Sequence, residues 1–306
     1  MGKESTAAEE KYYGCVCPVC KKLNNNFLLK YPGIFLGITE LRKCNICDLV
    51  FGHEFPNKDE LEEYYKLGFY YDGIPNKFDP KILNWHFTVC ESRLNVILTN
   101  VNYDFQNVID IGGGFAKFGH VLKEKCLNTV YDIIEPDPNV NIIWGDWVNN
   151  HYNSINEVRD NYYDLAILSH VLEHLPDPIE FITSIKSKMK PKSYIFVEVP
   201  FKDYLFKKNV APHVTFWNER SIKYFAKINN LDLIFLKTVG LPHKLSWIHC
   251  RYKTLLQKIF NPWIYYWKIK DVTKRNELPF FTTERMFGLN KYGGNRMWLR
   301  IIFRVN

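Results

Sequence analysis

Apolar and polar residues alternate along the chain in two recurring patterns. Short apolar runs bounded by glycine, proline and small polar residues predict buried strands, whereas longer stretches with apolar residues three or four positions apart predict helices. We expect strands at Val108–Ile111, Thr129–Ile134, Asn141–Trp144, Leu165–Leu168, Tyr194–Val199, Leu231–Leu236 and Met297–Val305. We expect helices at Asp59–Lys66, Asp79–Leu98, Phe115–Glu124, Pro178–Met189 and Glu219–Ile228.

The alternation of strands and helices predicts the fold class. A strand that returns parallel to its neighbour needs a crossover, and the helices of these crossovers cover both faces of the sheet. We therefore expect an α/β fold with a doubly wound, seven-stranded, mostly parallel sheet, preceded by a small N-terminal module. We place this module at 1–55, a helical connector or lid at 56–100 and the α/β domain at 101–306, with an insertion at about 240–295.

The insertion is long for a connection between two strands. It mixes tryptophan and tyrosine with lysine and arginine, for example at Trp247 and Trp263. This composition is typical of a lid over an anionic substrate or of a patch that contacts a membrane surface. It is equally typical of helices that pack on the domain while their lysine stems lie along apolar surface.

Composition narrows the class of protein. Of the 306 residues, 46% are hydrophobic and 24% are charged, and the formal net charge is +7. These values exclude a disordered or fibrous chain, and the scattered lysines indicate a solvated basic surface that also suits an anionic partner. No apolar run approaches the roughly 18 residues of a spanning helix, and the first residues lack the apolar core of a signal peptide. We expect a cytoplasmic protein whose cysteines are not disulfide-bonded.

Five of the eight cysteines lie within the first 47 residues. Cys17 and Cys20 form one C-x-x-C pair, and Cys44 and Cys47 form a second pair after 23 intervening residues. Each pair places two thiolates on one tight turn, and two such turns close a tetrahedral site for zinc. Four thiolates leave no open position for a substrate, so we expect this zinc to be structural. The module at 1–55 is therefore predicted to be a small zinc ribbon, a zinc-binding module that precedes the α/β domain.

Residues suited to binding a cofactor follow the first four strands of the α/β domain. In an open α/β sheet, ligands bind outside the carboxyl ends of the strands. Glycines there let the backbone approach a ligand, and a carboxylate can accept hydrogen bonds from ribose hydroxyls. The dinucleotide fingerprint G-x-G-x-x-G is not matched, because Lys117 stands where the third glycine belongs. The candidate cofactor residues are Asp110, Gly112, Gly113, Gly114, Glu135, Asp146, Trp147, Ser169 and His170.

These motifs resemble those of class I S-adenosylmethionine-dependent methyltransferases. The resemblance is carried by D-I-G-G-G, E-P-D and G-D-W, and by the longer run Y-D-L-A-I-L-S-H-V-L-E-H-L-P-D-P. It covers roughly residues 79–236 and the last strand, and it implies a Rossmann-like methyltransferase fold with this cofactor. It further implies Asp110 and Gly112–Gly114 beside the methionine moiety, Glu135 on the ribose, and Asp146 and Trp147 at the adenine.

The cysteine pairs and the tyrosine-rich helical segment after them also resemble the N-terminal half of bacterial deoxysugar C-methyltransferases. Those proteins continue into a further domain, whereas this sequence ends. We therefore expect O-methylation of a glycan precursor, either a nucleotide-linked sugar or a phosphate-bearing group of a surface polysaccharide. Carbon methylation of a keto-deoxysugar is the alternative within the same resemblance.

Three histidines lie where the acceptor should bind, His170 and His174 after the fourth strand and His213 after the fifth. Histidine is the natural general base near neutral pH, and a base assists methyl transfer to a hydroxyl. Each histidine also has a structural interpretation: His170 as a cofactor contact, His174 as part of a common scaffold pair with Glu173, and His213 as a loop cap. The run H-x-x-E-H further resembles, with one glutamate changed, the metal-binding E-x-x-E-H of some quinone and small-RNA methyltransferases, which implies a second metal.

Two other functions compete with methylation of a small molecule. Some ribosomal RNA methyltransferases pair an N-terminal zinc module with this fold, so an RNA substrate is one alternative. A non-catalytic protein that kept the cofactor site is another. We expect a small-molecule partner that is anionic or sugar-like, do not favour nucleic acid, and leave peripheral membrane contact open.

Overall fold

The computed structural model describes residues 16–23, 26–66, 80–137, 144–239 and 298–306. Its strands are β1 (Phe27–Lys30), β2 (Glu40–Lys43), β3 (Val50–His53), β4 (Asn107–Ile111), β5 (Val130–Ile134), β6 (Asn150–Tyr152), β7 (Tyr163–Ser169), β8 (Met189–Pro200), β9 (Thr215–Phe216), β10 (Leu231–Val239) and β11 (Trp298–Val305). Its helices are α1 (Lys58–Lys66), α2 (Pro80–Asn100), α3 (Lys117–Lys125), α4 (Pro178–Lys188) and α5 (Glu219–Ile228). The expected insertion at about 240–295 lies outside these residues, and no helix among them is long and apolar enough to cross a membrane.

A seven-stranded sheet has the order β10-β11-β8-β7-β4-β5-β6. The strands from β4 to β8 pair in parallel, and β11 runs antiparallel to both β8 and β10. Apolar residues of the central strands alternate between two cores, with Ile109 and Ala166 on one face and Val108 and Leu165 on the other. The expected doubly wound, mostly parallel α/β sheet is therefore confirmed. Its strand order reverses between β4 and β7, which is where such sheets bind ligands.

The third parallel strand differs from the sequence-based expectation. We expected it at Asn141–Trp144, but the structure pairs β6 (Asn150–Tyr152) with β5, and Trp144 belongs to no strand. Residues 141–143 lie outside the described part of the chain. The strand was missed because β6 is a short, polar edge strand (Asn-His-Tyr), and it has no apolar run to distinguish it from a loop.

A second, smaller sheet joins the cysteine-rich segment to the α/β domain. Its order is β1-β2-β3-β9, all antiparallel, and β9 is supplied by the chain after β8. The pairing is extended by a hydrogen bond of 2.8 Å from the Gly52 amide to the Val214 carbonyl. Cys17, Cys44 and Cys47 are buried in the same apolar core as Trp217 of the α/β domain. The two parts are therefore packed into one body.

Candidate active site

A cavity of about 1180 Å³ lies at the carboxyl ends of the parallel strands. Every strand from β4 to β8 contributes residues at or just after its end. The lining residues from these strand ends include Asp110, Gly112, Gly113, Gly114, Glu135, Asn153, Ser169, His170 and Pro200. The remaining walls include Tyr65, Arg93, Lys117, His174, Lys207, His213 and Trp298. The cavity is thus where a doubly wound sheet is expected to hold its ligand.

The glycine turn after β4 leaves backbone rather than side chains at the cavity surface. Gly112 and Gly114 have φ angles of 64° and 52°, in the left-handed region that glycine adopts without strain. A Cβ atom on Gly113 would lie 2.7 Å from the Ile133 side chain, so a larger residue does not fit there either. The turn therefore forms a cradle that suits close approach of a ligand to the backbone.

Glu135 is fixed at the tip of β5 by two backbone donors. Its carboxylate accepts hydrogen bonds from the amides of Gly114, at 2.8 Å, and Asp137, at 3.0 Å. Burial raises the pKa of Glu135, and the two backbone hydrogen bonds oppose that rise. Each carboxylate oxygen keeps a second lone pair, so the group can still accept hydrogen bonds from the two hydroxyls of a ribose.

Asp110 lies buried at the end of β4, where it lines the cavity. It accepts a hydrogen bond of 2.6 Å from the Tyr131 hydroxyl. Burial raises the pKa of Asp110 to about 7, although the Tyr131 hydrogen bond and the nearby Arg93 charge lower it. A cationic ligand group would replace the lost solvation and stabilise the charged carboxylate.

Asp146 and Trp147, which we expected at an adenine ring, do not line the cavity that the structure describes. Asp146 is exposed, and the indole of Trp147 donates a hydrogen bond of 3.1 Å to the Ala116 carbonyl while packing on His120. Both precede β6, so neither is at its carboxyl end, and neither is among the described residues that line the cavity. Asn153, Ser154 and Ile155, which follow β6, line it instead. The difference arises because the third strand lies later in the chain than expected, and the adenine contact of Asp146 and Trp147 stays an untested prediction.

A buried charge network connects β8 to the cavity. Glu198 is fully buried between two arginines, with Arg93 Nε at 3.0 Å from one oxygen and Arg300 Nε at 2.5 Å from the other. Burial alone would raise the pKa of Glu198. The charges of Arg300 and Arg93 lower it by more, so the pKa is well below its usual range. None of these three residues was singled out from the sequence, because their contact joins helix α2 with two strands that are distant in the chain.

His170 is held between two carboxylates. Its Nδ1 lies 3.0 Å from Glu173 Oε1, and its Nε2 lies 3.4 Å from Glu198 Oε1. Burial lowers the pKa of His170, but the contacts with Glu173 and Glu198 outweigh burial and raise it overall. An imidazole with both nitrogens facing carboxylates is stabilised as the cation. This environment suits an orienting or electrostatic group better than a proton acceptor.

His174 and His213 meet on the other side of Glu173. Their ring centroids are 5.1 Å apart, and Glu173, His174 and His213 each offer a ligand atom within 4.8 Å of the others. His174 Nδ1 lies 3.4 Å from the Pro212 carbonyl, and His213 Nδ1 lies 3.0 Å from Asp203 Oδ2. Burial lowers the pKa of His174 to about 4. The structure thus brings the three predicted histidines together at one wall, and it adds Asp203, which the sequence did not indicate.

The four cysteines form one cluster with near-identical halves. The Cys17 and Cys47 sulfurs are 3.4 Å apart, as are those of Cys20 and Cys44. In each half the residue after the second cysteine, Lys21 or Asp48, has a left-handed φ and donates its amide to the carbonyl of the first cysteine, at 2.9 Å. Four sulfurs at this spacing fit a tetrahedral zinc, whose ligands lie about 2.3 Å from the metal.

Comparison with known proteins identifies the domain. A family model described as a methyltransferase domain matches residues 82–236, half of the chain. A search of curated proteins finds no match.

Solved structures share the fold at low identity. An S-adenosylmethionine-dependent methyltransferase from Thermotoga maritima is 14% identical, with a TM-score of 0.50 over 77% of this chain and 98% of its own. One from Archaeoglobus fulgidus is 17% identical, with a TM-score of 0.44 over 71% of this chain and 94% of its own. Coclaurine N-methyltransferase, solved with N-methylheliamine and S-adenosylhomocysteine, is 13% identical, with a TM-score of 0.45 over 71% of this chain and 72% of its own.

Proposed function

This chain belongs to the methyltransferase-domain family, and we propose that it transfers a methyl group from S-adenosylmethionine to a hydroxyl oxygen of a small, anionic or sugar-like acceptor. The observation that carries the proposal is the position of His213. This histidine lines the same cavity as the glycine turn and Glu135, and Asp203 lies beside its Nδ1. One cavity thereby combines a cofactor cradle with a histidine–carboxylate pair.

The cofactor half of the cavity is built from β4, β5 and β6. We assign the ribose to Glu135, the sulfonium and methionine end to Asp110 and the glycine turn, and the adenine to the residues that follow β6, beginning at Asn153. When bound, S-adenosylmethionine would supply an electrophilic methyl group, because breaking its S–CH3 bond converts the cationic sulfonium into a neutral thioether. The residues of the chain then need only bind the two substrates, orient the acceptor hydroxyl towards the methyl group and accept the proton of that hydroxyl.

The acceptor half of the cavity contains the histidines. Asp203 Oδ2, 3.0 Å from Nδ1 of His213, favours the tautomer that carries its proton on Nδ1. Nε2 is then the atom that takes the proton from the acceptor hydroxyl. His170 lies between the carboxylates of Glu173 and Glu198, so we assign it a positioning role at the cavity wall and not the role of proton acceptor. Lys207 lines the same cavity, and its amine, 2.9 Å from Asp203, balances the charge of that carboxylate beside His213.

A divalent cation is the alternative means of activating the hydroxyl. The supporting observation is Glu173, which is buried and whose Oε2 has no hydrogen-bond partner among the described residues. Glu173, His174 and His213 each offer one ligand atom within 4.8 Å of the others, and imidazole and carboxylate groups both bind divalent cations. Dialysis against EDTA separates the two mechanisms. Turnover that survives chelation supports the histidine base, and turnover that is lost and restored by Mg²⁺ or Mn²⁺ supports the cation.

The four N-terminal cysteines are proposed to hold a structural zinc. All four sulfurs are used in one closed cluster, so no position is left for a substrate. Three of the cysteines share a core with Trp217, and β3 pairs with β9 just after His213. The proposed contribution of the cluster to methyl transfer is to hold the segment that carries His213 in place.

The proposed function is tested with S-adenosylmethionine that carries a tritiated methyl group. The acceptors are nucleotide sugars, sugar phosphates and an RNA transcript. We expect label in a sugar or phosphate-bearing small molecule, as an O-methyl group. Label only in the RNA, or on carbon, would contradict the acceptor class.

His213→Gln tests the assigned base. We expect turnover to fall by roughly 10²- to 10⁴-fold, the usual contribution of general-base catalysis, with unchanged affinity for S-adenosylhomocysteine. His120→Gln is the matched control, because His120 lies on α3 outside the residues that line the cavity. Equal turnover in the two variants would remove His213 from the mechanism.

A further inference from the structure

The side chain of Lys117 is buried in the cavity wall, and no carboxylate of the described residues is paired with it. Lys117 begins α3 and is 5% exposed, and its Nζ atom has no hydrogen-bond partner among the described residues. Its described contact is with the face of the Phe115 ring, at 4.5 Å from the amine to the ring centroid. A buried amine without a partner is costly, which indicates that an anion completes this site when it is filled.

The other cations of the cavity are already neutralised. Arg93 is paired with Glu198 at 2.5 Å, and Lys207 is paired with Asp203 at 2.9 Å. Among the described lysines and arginines that line the cavity, Lys117 is therefore the one without a carboxylate beside it. It remains available to a ligand, whereas Arg93 would first have to leave a buried ion pair.

The position of Lys117 in the cavity indicates which anionic group of the ligand it would contact. It lies at the N-terminus of α3, directly after the glycine turn, and interacts electrostatically with Cys90 of α2. Cys90 also interacts electrostatically with Asp110, so Lys117 and Asp110 lie near the same side chain, at the end of the cavity to which the methionine portion is assigned. The N-terminus of a helix also favours an anion.

We propose that Lys117 binds the carboxylate of the methionine portion of the cofactor. This inference rests on the proposed function, which places the ribose at Glu135 and the methionine end at Asp110. The cofactor carries one carboxylate and one ammonium group at that end. Asp110 is the acidic partner for the ammonium group and Lys117 the basic partner for the carboxylate, so the amino acid would be held by two opposite charges.

The test compares two ligands that differ in this carboxylate. S-adenosylhomocysteine has the amino-acid group, and 5′-methylthioadenosine has the same adenosine thioether without it. Binding of each to the full chain is measured by calorimetry for the wild type and for Lys117→Met. A hydrogen-bonded charge pair predicts that the variant binds S-adenosylhomocysteine about tenfold to a hundredfold more weakly. Its affinity for 5′-methylthioadenosine should stay within about twofold of wild type.

Two further variants control for structure. Lys123→Met removes a lysine from the same helix at a position that does not line the cavity, and it should bind both ligands as the wild type does. Lys117→Arg keeps the charge and should recover part of the preference for S-adenosylhomocysteine. The thermal midpoint of Lys117→Met should equal or exceed that of the wild type, because the substitution removes an unpaired buried cation.

The outcomes separate this inference from the proposed function. Equal weakening of both ligands by Lys117→Met, or no weakening of either, would overturn the assignment of Lys117 while the cofactor site stands. A wild-type protein that binds neither ligand would overturn the proposed function and this inference together.

Discussion

The hydroxyl of Tyr31 donates a hydrogen bond of 2.9 Å to the carbonyl oxygen of His213. The first residue belongs to the cysteine-rich segment, and the second lines the cavity of the α/β domain. The neighbouring backbone continues the link, since the Val210 amide donates to the Pro32 carbonyl and the Val214 amide to the Glu173 carbonyl, both at 2.8 Å. The cysteine module thus supports the wall that carries Glu173 and His213.

Removing the Tyr31 hydroxyl should affect turnover more than cofactor binding. Tyr31→Phe leaves the His213 carbonyl without its donor, and we expect kcat to fall several-fold as the imidazole loses its fixed position. Affinity for S-adenosylhomocysteine should be unchanged, because we assign cofactor binding to Glu135 and the glycine turn rather than to His213. The measurement is kcat and KM for the acceptor together with calorimetry. Tyr103→Phe, at an exposed position, is the control.

Loss of the cysteine-bound metal should lower turnover more strongly than Tyr31→Phe does. We expect about one zinc per chain by mass spectrometry of the metal, and loss of that zinc in Cys44→Ser. The metal-free protein should unfold at a lower temperature and lose methyl transfer, because β3 and β9 are no longer held together. Cys126→Ser, a half-buried thiol outside the cluster, should keep its zinc and its activity. A chain purified without metal and still fully folded would contradict this prediction.

Glu198 is predicted to be the most costly single charge to remove from the described core. Glu198→Gln leaves Arg93 and Arg300 buried without their shared anion, and breaking a buried ion pair in this way costs about 3 kcal/mol of unfolding free energy. Chemical denaturation measures the change. Asp232→Asn removes the partner of Arg304 from an exposed pair and should leave stability unchanged, since solvent screens that pair.

Much of the fold and part of the site followed from local sequence patterns. The glycine turn after Asp110, the strand tip at Glu135 and the two cysteine turns are contiguous motifs, so each could be identified without knowing its neighbours. Strand β6 could not, because its exposed polar residues carry no periodic signal. The pairing of β9 with β3 and the contacts of Glu198 with Arg93 and Arg300 join segments more than a hundred residues apart. No local sequence pattern encodes such contacts. The contacts of Asp203 could not be predicted from the sequence for the same reason.

Cofactor affinity should depend on pH through both charges assigned to the amino-acid end. Burial lowers the pKa of Lys117 to about 8 in the free protein, and a bound carboxylate would raise it again. Affinity for S-adenosylhomocysteine should therefore fall above about pH 8, as the free amine loses its proton. It should also fall below about pH 7, because the free Asp110 carboxylate, whose pKa burial raises to about 7, then gains a proton. Cys90, which interacts with this amine from α2, stays a neutral thiol in that range because burial raises its pKa to about 11. Calorimetry as a function of pH should show a weaker dependence for Lys117→Met.

The central claim is that the cavity at the ends of β4, β5 and β6 binds S-adenosylmethionine. Calorimetric titration with S-adenosylhomocysteine tests it most directly, with Glu135→Ala and Asp146→Ala beside the wild type. We predict one ligand per chain, at least tenfold weaker binding for Glu135→Ala, and wild-type binding for Asp146→Ala, which is exposed before β6. Absence of binding by the wild type, or equal loss in both variants, would contradict the account.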